Sequence, residues 1–275
     1  MREPCEIPAD YTWKINISSF DADRNRDLKP SSILKLQQEA GDRHLNAGGV
    51  TYSALFDRGM IFVLTRARME IKRFPTYKET VTLTTWSRGI RGSQFFRCYR
   101  FEDPNSRPLI NSMSAYALVD AENHRLLRPA VSDGLGIRHL PDREIACAEP
   151  PKVHVPDNAV FLAERPVRFT DIDYNGHVNN AVYADIVCDH MQSAAKNGET
   201  NRFPQQATGD QSMSRDRICA PNRISALTLH FLSEAREEDC LSLFMRESGE
   251  EILFKGCHAR GDCFAAKVEW HKPFL

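Results

Sequence analysis

Six side chains able to take part in proton chemistry or hydrogen-bond catalysis crowd residues 171–180. They are Asp171, Asp173, Asn175, His177, Asn179 and Asn180, inside the run RFTDIDYNGHVNNAVY from Arg168 to Tyr183. A carboxylate can accept a proton from water, an amide can orient the base or the water, and an imidazole titrates near neutrality. The spacing Asp173-x-Asn175-x-His177 matters because alternate side chains of an extended loop point the same way, so all three can face one pocket. A polar turn ending in a helix cap is the plainer account of such a run. A cap needs one of these residues, and six are present.

The elements that would hold these groups follow at once. Val182, Tyr183, Ile186, Val187, His190 and Met191 recur at helical spacing, with Asn179 or Asn180 as N-cap. The polar loop therefore feeds a helix N-terminus, whose free N–H groups and positive dipole end suit a developing oxyanion. In the first half, Tyr11–Ile17 alternates as a strand. Asp27–Ser32 begins a helix with Ile33, Leu34, Leu36, Gln37, Ala40, His44 and Leu45 on one face, and Gly48-Gly49 ends it. Strands are expected over 59–72, 80–87, 95–101 and 112–119, with turns at Arg73–Thr76 and Asp103–Ser106. One helix followed by four strands at hairpin spacing predicts an α+β fold with an antiparallel sheet.

Residues 129–157 are rich in proline and charge and read as a connector. The second half then replays the first, with apolar runs at 225–231, 240–245, 252–257 and 263–270 after the loop and helix. The two loops overlay at an offset of 150 (171 − 21): Asp21 falls on Asp171, Asp23 on Asp173 and Asn25 on Asn175. Asp27 stands where His177 is, so the first copy keeps the acid and amide but has no imidazole. Its polar residues suit turn and cap roles.

Composition narrows the function further. In 275 residues, 41 % are apolar, enough for a packed core, and 36 Lys+Arg balance 37 Asp+Glu. That balance gives no general attraction to nucleic acid or membrane. The eight cysteines (5, 98, 147, 188, 219, 240, 257, 263) have no C-x-x-C or metal spacing, and several sit in apolar runs as buried thiols do. The polar start MREPCE, with no apolar segment after it, fits a cytoplasmic protein. There is no G-x-S-x-G elbow, phosphate loop, dinucleotide fingerprint or metal cluster, so neither cofactor nor metal is expected.

D-x-N-x-H-V-N-N-x-x-Y resembles the active-site loop of the hot-dog thioesterases, and most of all that of the acyl-acyl carrier protein (acyl-ACP) thioesterases. V-L-T-R at 63–66 followed by R-F-P-T-Y at 73–77 resembles the first-repeat pattern of that family. The resemblance implies a tandem double hot-dog, each half a long helix wrapped by a curved antiparallel sheet, with only the second half catalytic. The expected division is an acyl-binding domain over 1–140, a linker over 141–157 and a catalytic domain over 158–275. The resemblance also implies catalytic roles for Asp173, Asn175 and His177. Glu234 would be a second carboxylate at the end of the strand after the helix, although the cysteine that follows this residue in the family is Ala235 here. A solvated strand-end glutamate beside Arg236 is the plainer reading of that position.

Hydrolysis of a fatty acyl-ACP thioester is thus the expected activity, by an activated water with Asp173 or Glu234 as base. Cys188 is expected to be a buried thiol and not a nucleophile. Asn179, Asn180, Trp86 and Phe62 are expected at the substrate, with Met69 and Ala40 also near an acyl groove in the first half. The acidic carrier is expected to dock on basic residues among Arg66, Arg68, Lys72, Arg73, Arg88 and Arg91. The alternatives are an acyl-CoA thioesterase of the 4-hydroxybenzoyl-CoA type, a dehydratase-like hot-dog protein, and a non-catalytic acyl binder. Either a monomer with an internal duplication or a homodimer would supply two copies. The polar excursion over 197–223 has no expected role.

Overall fold

Alternation of apolar and polar residues builds a single ten-stranded antiparallel sheet. In the computed structural model, which describes residues 6–196, 223–248 and 251–271, the first half contributes β1 (Asp10–Asn16), β2 (Met60–Ile71), β3 (Thr80–Arg91), β4 (Gln94–Glu102) and β5 (Pro108–Asp120). The second contributes β6 (Val160–Pro166), β7 (Arg223–Phe231), β8 (Cys240–Ser248), β9 (Glu251–His258) and β10 (Gly261–His271). The order β1-β3-β4-β5-β2-β7-β10-β9-β8-β6 repeats the same connectivity outward from the centre. The halves join where β2 pairs with β7, from Arg66 opposite His230 to Glu70 opposite Ala226. The excursion over 197–222, with Cys5 and Cys219, lies outside the described residues.

Two long helices pack against each other and against one face of the sheet: α1 (Pro30–Ala47) and α3 (Asn180–Lys196). Proline at the first turn of α1 suits a position whose N–H has no intrahelical partner, and Gly48 closes the helix as the sequence predicts. Ile33, Leu34 and Ala40 of α1 share one buried cluster with Ala181, Tyr183, Ile186 and Val187 of α3 and with Leu83, Leu227 and Phe264 from the sheet. Each large side chain buried this way contributes about 1.5–3 kcal/mol. The shared core ties the halves into one packing unit.

The offset of 150 holds in backbone detail. The N–H of Asp23 donates to the carbonyl of Asp27 at 2.8 Å, and that of Asp173 to the carbonyl of His177 at 3.0 Å. Lys29 N–H donates to Asp21 O at 2.8 Å, and Asn179 N–H to Asp171 O at 2.9 Å. The left-handed position is filled by Arg26 (φ 69°) in the first loop and Gly176 (φ 82°) in the second. An arginine is strained there and a glycine is not, so the loop with the imidazole is the one with the relaxed backbone.

The connector does not run free. Leu140 N–H donates to Ser87 O at 2.8 Å, and Leu140, Ile145 and Cys147 cover a cluster of Trp86, Phe96, Cys98 and Met113. Trp86, fully buried, therefore lies on the outer face of β3, beneath the connector and with Arg143 4.2 Å above its ring. The expectation that Trp86 touches substrate is corrected: Thr85 faces Arg97, which bonds His44 of α1, and the strand period of two turns Trp86 to the other face, away from the cavity. Met69 and Ala40 are packed in the main core and do not line the cavity described below.

Candidate active site

The second loop is organised by its own carboxylates. Asp171 takes two hydrogen bonds from Arg165, each 2.7 Å, and one from the Arg168 N–H at 2.7 Å. The Arg165 guanidinium holds its carboxyl below the usual range, so Asp171 is an ionised brace. Asp173 Oδ1 accepts from the Asn175 N–H at 2.8 Å, and Oδ2 from Asn179 Nδ2 at 3.4 Å. Asp23 makes the first of these contacts in the loop without an imidazole, at 2.8 Å to Asn25 N. The contact is thus a turn-forming one. Asn179 caps α3, its Oδ1 accepting from Ala181 N–H at 2.9 Å, while Asn180 lines the cavity.

A cavity of about 1160 Å³ opens at this loop and runs under α1 into the first half. Asp173, Asn175, His177 and Glu234 line it together with the apolar side chains of Leu34, Leu45, Val50, Leu55, Phe62 and Phe95. The structure thus brings together all four expected catalytic residues, together with Asn180 and Phe62. Its apolar part is a hydrocarbon-compatible space between helix and sheet.

Glu234 is the hub at the mouth. Its Oε1 lies 3.8 Å from His177 Nε2 and 3.5 Å from His124 Nδ1, and Oε2 accepts from Arg236 Nη2 at 3.3 Å. The separation from His177 is too long for a direct hydrogen bond, yet short enough for a water or a substrate oxygen to bridge. The Glu234 backbone is held in turn, its carbonyl accepting from His258 Nε2 at 3.0 Å and from Arg260 Nη2 at 3.3 Å. Arg260 N–H donates to His258 Nδ1 at 3.2 Å, which fixes the ring proton on Nε2.

Sequence reasoning missed Tyr52, His124 and His258. Tyr52 lies on a short helix α2 (Tyr52–Phe56) in a stretch that reads as merely polar, and its hydroxyl donates to Asn175 Oδ1 at 3.1 Å. His124 sits in the turn after β5 with φ 56°, and His258 ends β9. Tyr52 and His124 approach the loop only through the pairing of the two halves, and His258 through the packing of β9 within the second. The one local signal was their residue type.

Burial pushes the Cys188 thiol up to about 12, with Asp185 and Asp189 adding to the effect. Some of its area is exposed, but protein surrounds the sulfur, and it does not line the cavity. A thiolate there is disfavoured. Ala235, where the resembled family has cysteine, is fully buried and accepts from Val178 N–H at 2.8 Å, so it serves the loop through its backbone.

The expected basic docking stretch is largely paired. Arg68 bonds Glu269 and Glu70 at 3.0 Å each, Arg73 bonds Glu79 at 2.6 Å, and Arg91 bonds Glu149 at 2.8 Å. Arg88 donates to the Arg143 carbonyl at 3.5 Å. The arginines at the cavity mouth are Arg236 and Arg260, themselves paired with Glu234 at 3.3 Å and Asp239 at 2.7 Å but more than half exposed. Among the described residues no cluster could hold a metal ion, and no helix is long and apolar enough to cross a membrane.

An antiparallel sheet packed on two helices, with an acid–amide–imidazole loop at the mouth of a long cavity, is the frame of a thioester hydrolase. The chain belongs to the acyl-ACP thioesterase family: the model of its N-terminal domain matches residues 8–133 and that of its C-terminal domain residues 156–204. It is similar to the chloroplastic oleoyl-ACP thioesterase 2 of Arabidopsis thaliana, at 24 % identity over 94 % of this chain and 69 % of that protein. It is also similar to a chloroplastic acyl-ACP hydrolase of Cuphea viscosissima, at 25 % identity over 63 % of this chain and 45 % of that one. The chain therefore spans about two thirds of the first relative's length and under half of the second's. In fold it is similar to an acyl-ACP thioesterase of Bacteroides thetaiotaomicron (TM-score 0.79, 18 % identity, 96 % of this chain and 98 % of that). It is likewise similar to the 12:0-ACP thioesterase of Umbellularia californica (TM-score 0.76, 19 % identity, 97 % and 98 %).

Proposed function

We propose that this chain hydrolyses the thioester of fatty acyl-ACP, releasing free fatty acid and the carrier thiol. The observation that carries the reading is the continuity of one cavity from His177 and Glu234 to the apolar wall at Phe62 and Leu34. We read the architecture as two hot-dog domains, 1–140 and 158–275, joined by 141–157, with the first binding the acyl chain. The paired halves within one chain would make a monomer sufficient. The free thiols of the described cysteines suit a reducing compartment such as the cytoplasm.

The chemistry divides among few groups. Water attacks the thioester carbon, forming the C–O bond as the carbonyl oxygen takes up the electron pair. Glu234, facing His177 and already exposed to the cavity, accepts the water proton. Asn175 accepts from Tyr52 through Oδ1, which leaves its NH2 group to donate to the oxyanion. When the C–S bond breaks, the proton taken up by Glu234 passes by way of His177 to the departing sulfur. Asp173 acts through position, since both of its oxygens are engaged in the loop. The carrier's acidic surface would meet Arg236 and Arg260 at the mouth.

Incubation with acyl-ACP, scored for free thiol and free fatty acid in equal amounts, tests this reading. Thiol and acid appearing together support it. An unsaturated or hydrated acyl group still attached to the carrier would support a dehydratase instead, and binding without turnover a non-catalytic acyl binder.

A further inference from the structure

The wall of the cavity in the first half is not the surface that a plain hydrocarbon tail would select. Gln37, on the buried face of α1, is 2 % exposed, lines the cavity, and leaves its Nε2 without a partner. Its Oε1 lies 3.3 Å from Ser112 Oγ, whose proton goes to Arg68 O at 2.7 Å. A buried donor left unmade is costly, and an alkyl chain laid against it would keep it unmade.

One turn along α1 from Gln37 the helix carries Gly41. A Cβ there would stand 3.6 Å from Arg97 Cδ and 3.5 Å from the Tyr99 hydroxyl, so the helix packs closely over both side chains. Arg97 is 8 % exposed and lines the same cavity. Among the described residues its hydrogen-bond partners are two neutral acceptors, His44 Nδ1 at 2.8 Å and Thr85 Oγ1 at 3.3 Å. His44 is held in the accepting tautomer because its Nε2 donates to Pro8 O at 2.7 Å. Arg97 thus brings spare N–H groups to the same wall as Gln37.

The charge around it decides what kind of oxygen would be welcome. Asp42 also lines the cavity, and although its area is open, desolvation within the walls pushes its carboxyl up first, Glu39 adds to this, and Arg97 opposes it. A second carboxylate brought in by a ligand would have to share the space with Asp42. A neutral acceptor meets no such opposition.

We infer that the cavity selects an acyl chain bearing a neutral acceptor oxygen, an in-chain hydroxyl or keto group, over a plain saturated chain, with Gln37 and Arg97 as the residues that read it. The inference rests on the acyl-ACP hydrolase reading, in which this cavity holds the acyl chain.

Binding tests it without turnover. Dodecanoyl-coenzyme A analogues with methylene in place of the ester sulfur, plain or carrying a hydroxyl at successive carbons, are titrated into the full chain. One hydroxyl position should bind about tenfold more tightly than the plain chain, the gain of satisfying the buried Gln37 amide less the cost of desolvating the hydroxyl. Gln37→Leu should remove most of that preference, leave plain-chain binding equal or tighter, and keep Tm. Ser112 Oγ retains its bond to Arg68 O at 2.7 Å in that variant. A plain chain that binds as tightly as every hydroxylated one would overturn the inference. So would a preference that survives Gln37→Leu, or a terminal carboxylate that binds best of all. Absence of turnover on acyl-ACP would instead refute the hydrolase reading, and the binding series would still decide the selectivity.

Discussion

The Tyr52 hydroxyl donates to Asn175 Oδ1 at 3.1 Å across 123 positions of sequence. A side chain of the first half thereby sets the orientation of an amide in the second, and the site exists only because β2 and β7 pair. Tyr174 packs edge-on against Tyr52, with ring centroids 5.7 Å apart, and steadies the contact. Tyr52→Phe should keep the ring contact and lose the hydrogen bond. The expected result is a fall in kcat of roughly five- to tenfold, from about 1–1.5 kcal/mol of lost orientation, with KM and Tm little changed. Steady-state kinetics beside a melting curve would check it.

The ion pair of Asp171 with Arg165 supports the loop, and its pH dependence has a definite sign. The folded-state carboxyl is held below its unfolded value, so its contribution is present above the unfolded pKa near ~3.9 and is lost as pH falls through the folded value. Asp171→Asn should destabilise by about 1–3 kcal/mol at neutral pH, since Asp171 is buried and Arg165 mostly so. The gap between variant and wild type should close below about pH 4 in denaturant titrations. A gap that widens on acidification would contradict the assignment.

Phe62 and Trp86 separate cavity from core. Phe62→Ala, which enlarges the cavity wall, should shift the released acids toward longer chains, as read by gas chromatography of the products. Trp86→Phe should leave the product profile alone and lower Tm, because it thins the outer cluster under the connector. A profile that responds to Trp86 and ignores Phe62 would reverse this placement.

Cys188→Ser should be nearly silent in turnover. Its thiol is pushed up to about 12 by burial, and the proposed steps use water as nucleophile. A trapped acyl-enzyme in the wild type that Cys188→Ser abolishes would establish covalent catalysis.

Much of this was legible in the sequence for identifiable reasons. Strong alternation at 80–87 gave a strand with others at hairpin spacing, and the run from Asp171 to Asn180 held the loop at the cavity mouth because its members are local. The duplication was visible as an offset, and the backbone of both loops follows it. What lay hidden depends on how the strands pair. Tyr52, His124 and His258 reach Glu234 or the loop only through tertiary contact, and no spacing announces that. Trp86 was misplaced because a strand buried on both faces gives no clue to which face meets the helices. The arginines proposed for docking looked free as a string of charges, while their partners, such as Glu269 and Glu149, lie far along the chain.

The proposed hydrolysis requires His177 and Glu234 to act on a water at the cavity mouth. The direct measurement is the single-turnover rate of acyl-ACP hydrolysis by wild type, His177→Ala and Glu234→Gln, each with a melting curve. Both side chains are about a third exposed, at 30 % and 35 %, so the variants should melt close to wild type. Each should lose ~10²–10⁴ in rate, as removal of a general acid or base does. Rates within a few-fold of wild type for either variant, with the fold intact, would contradict the mechanism.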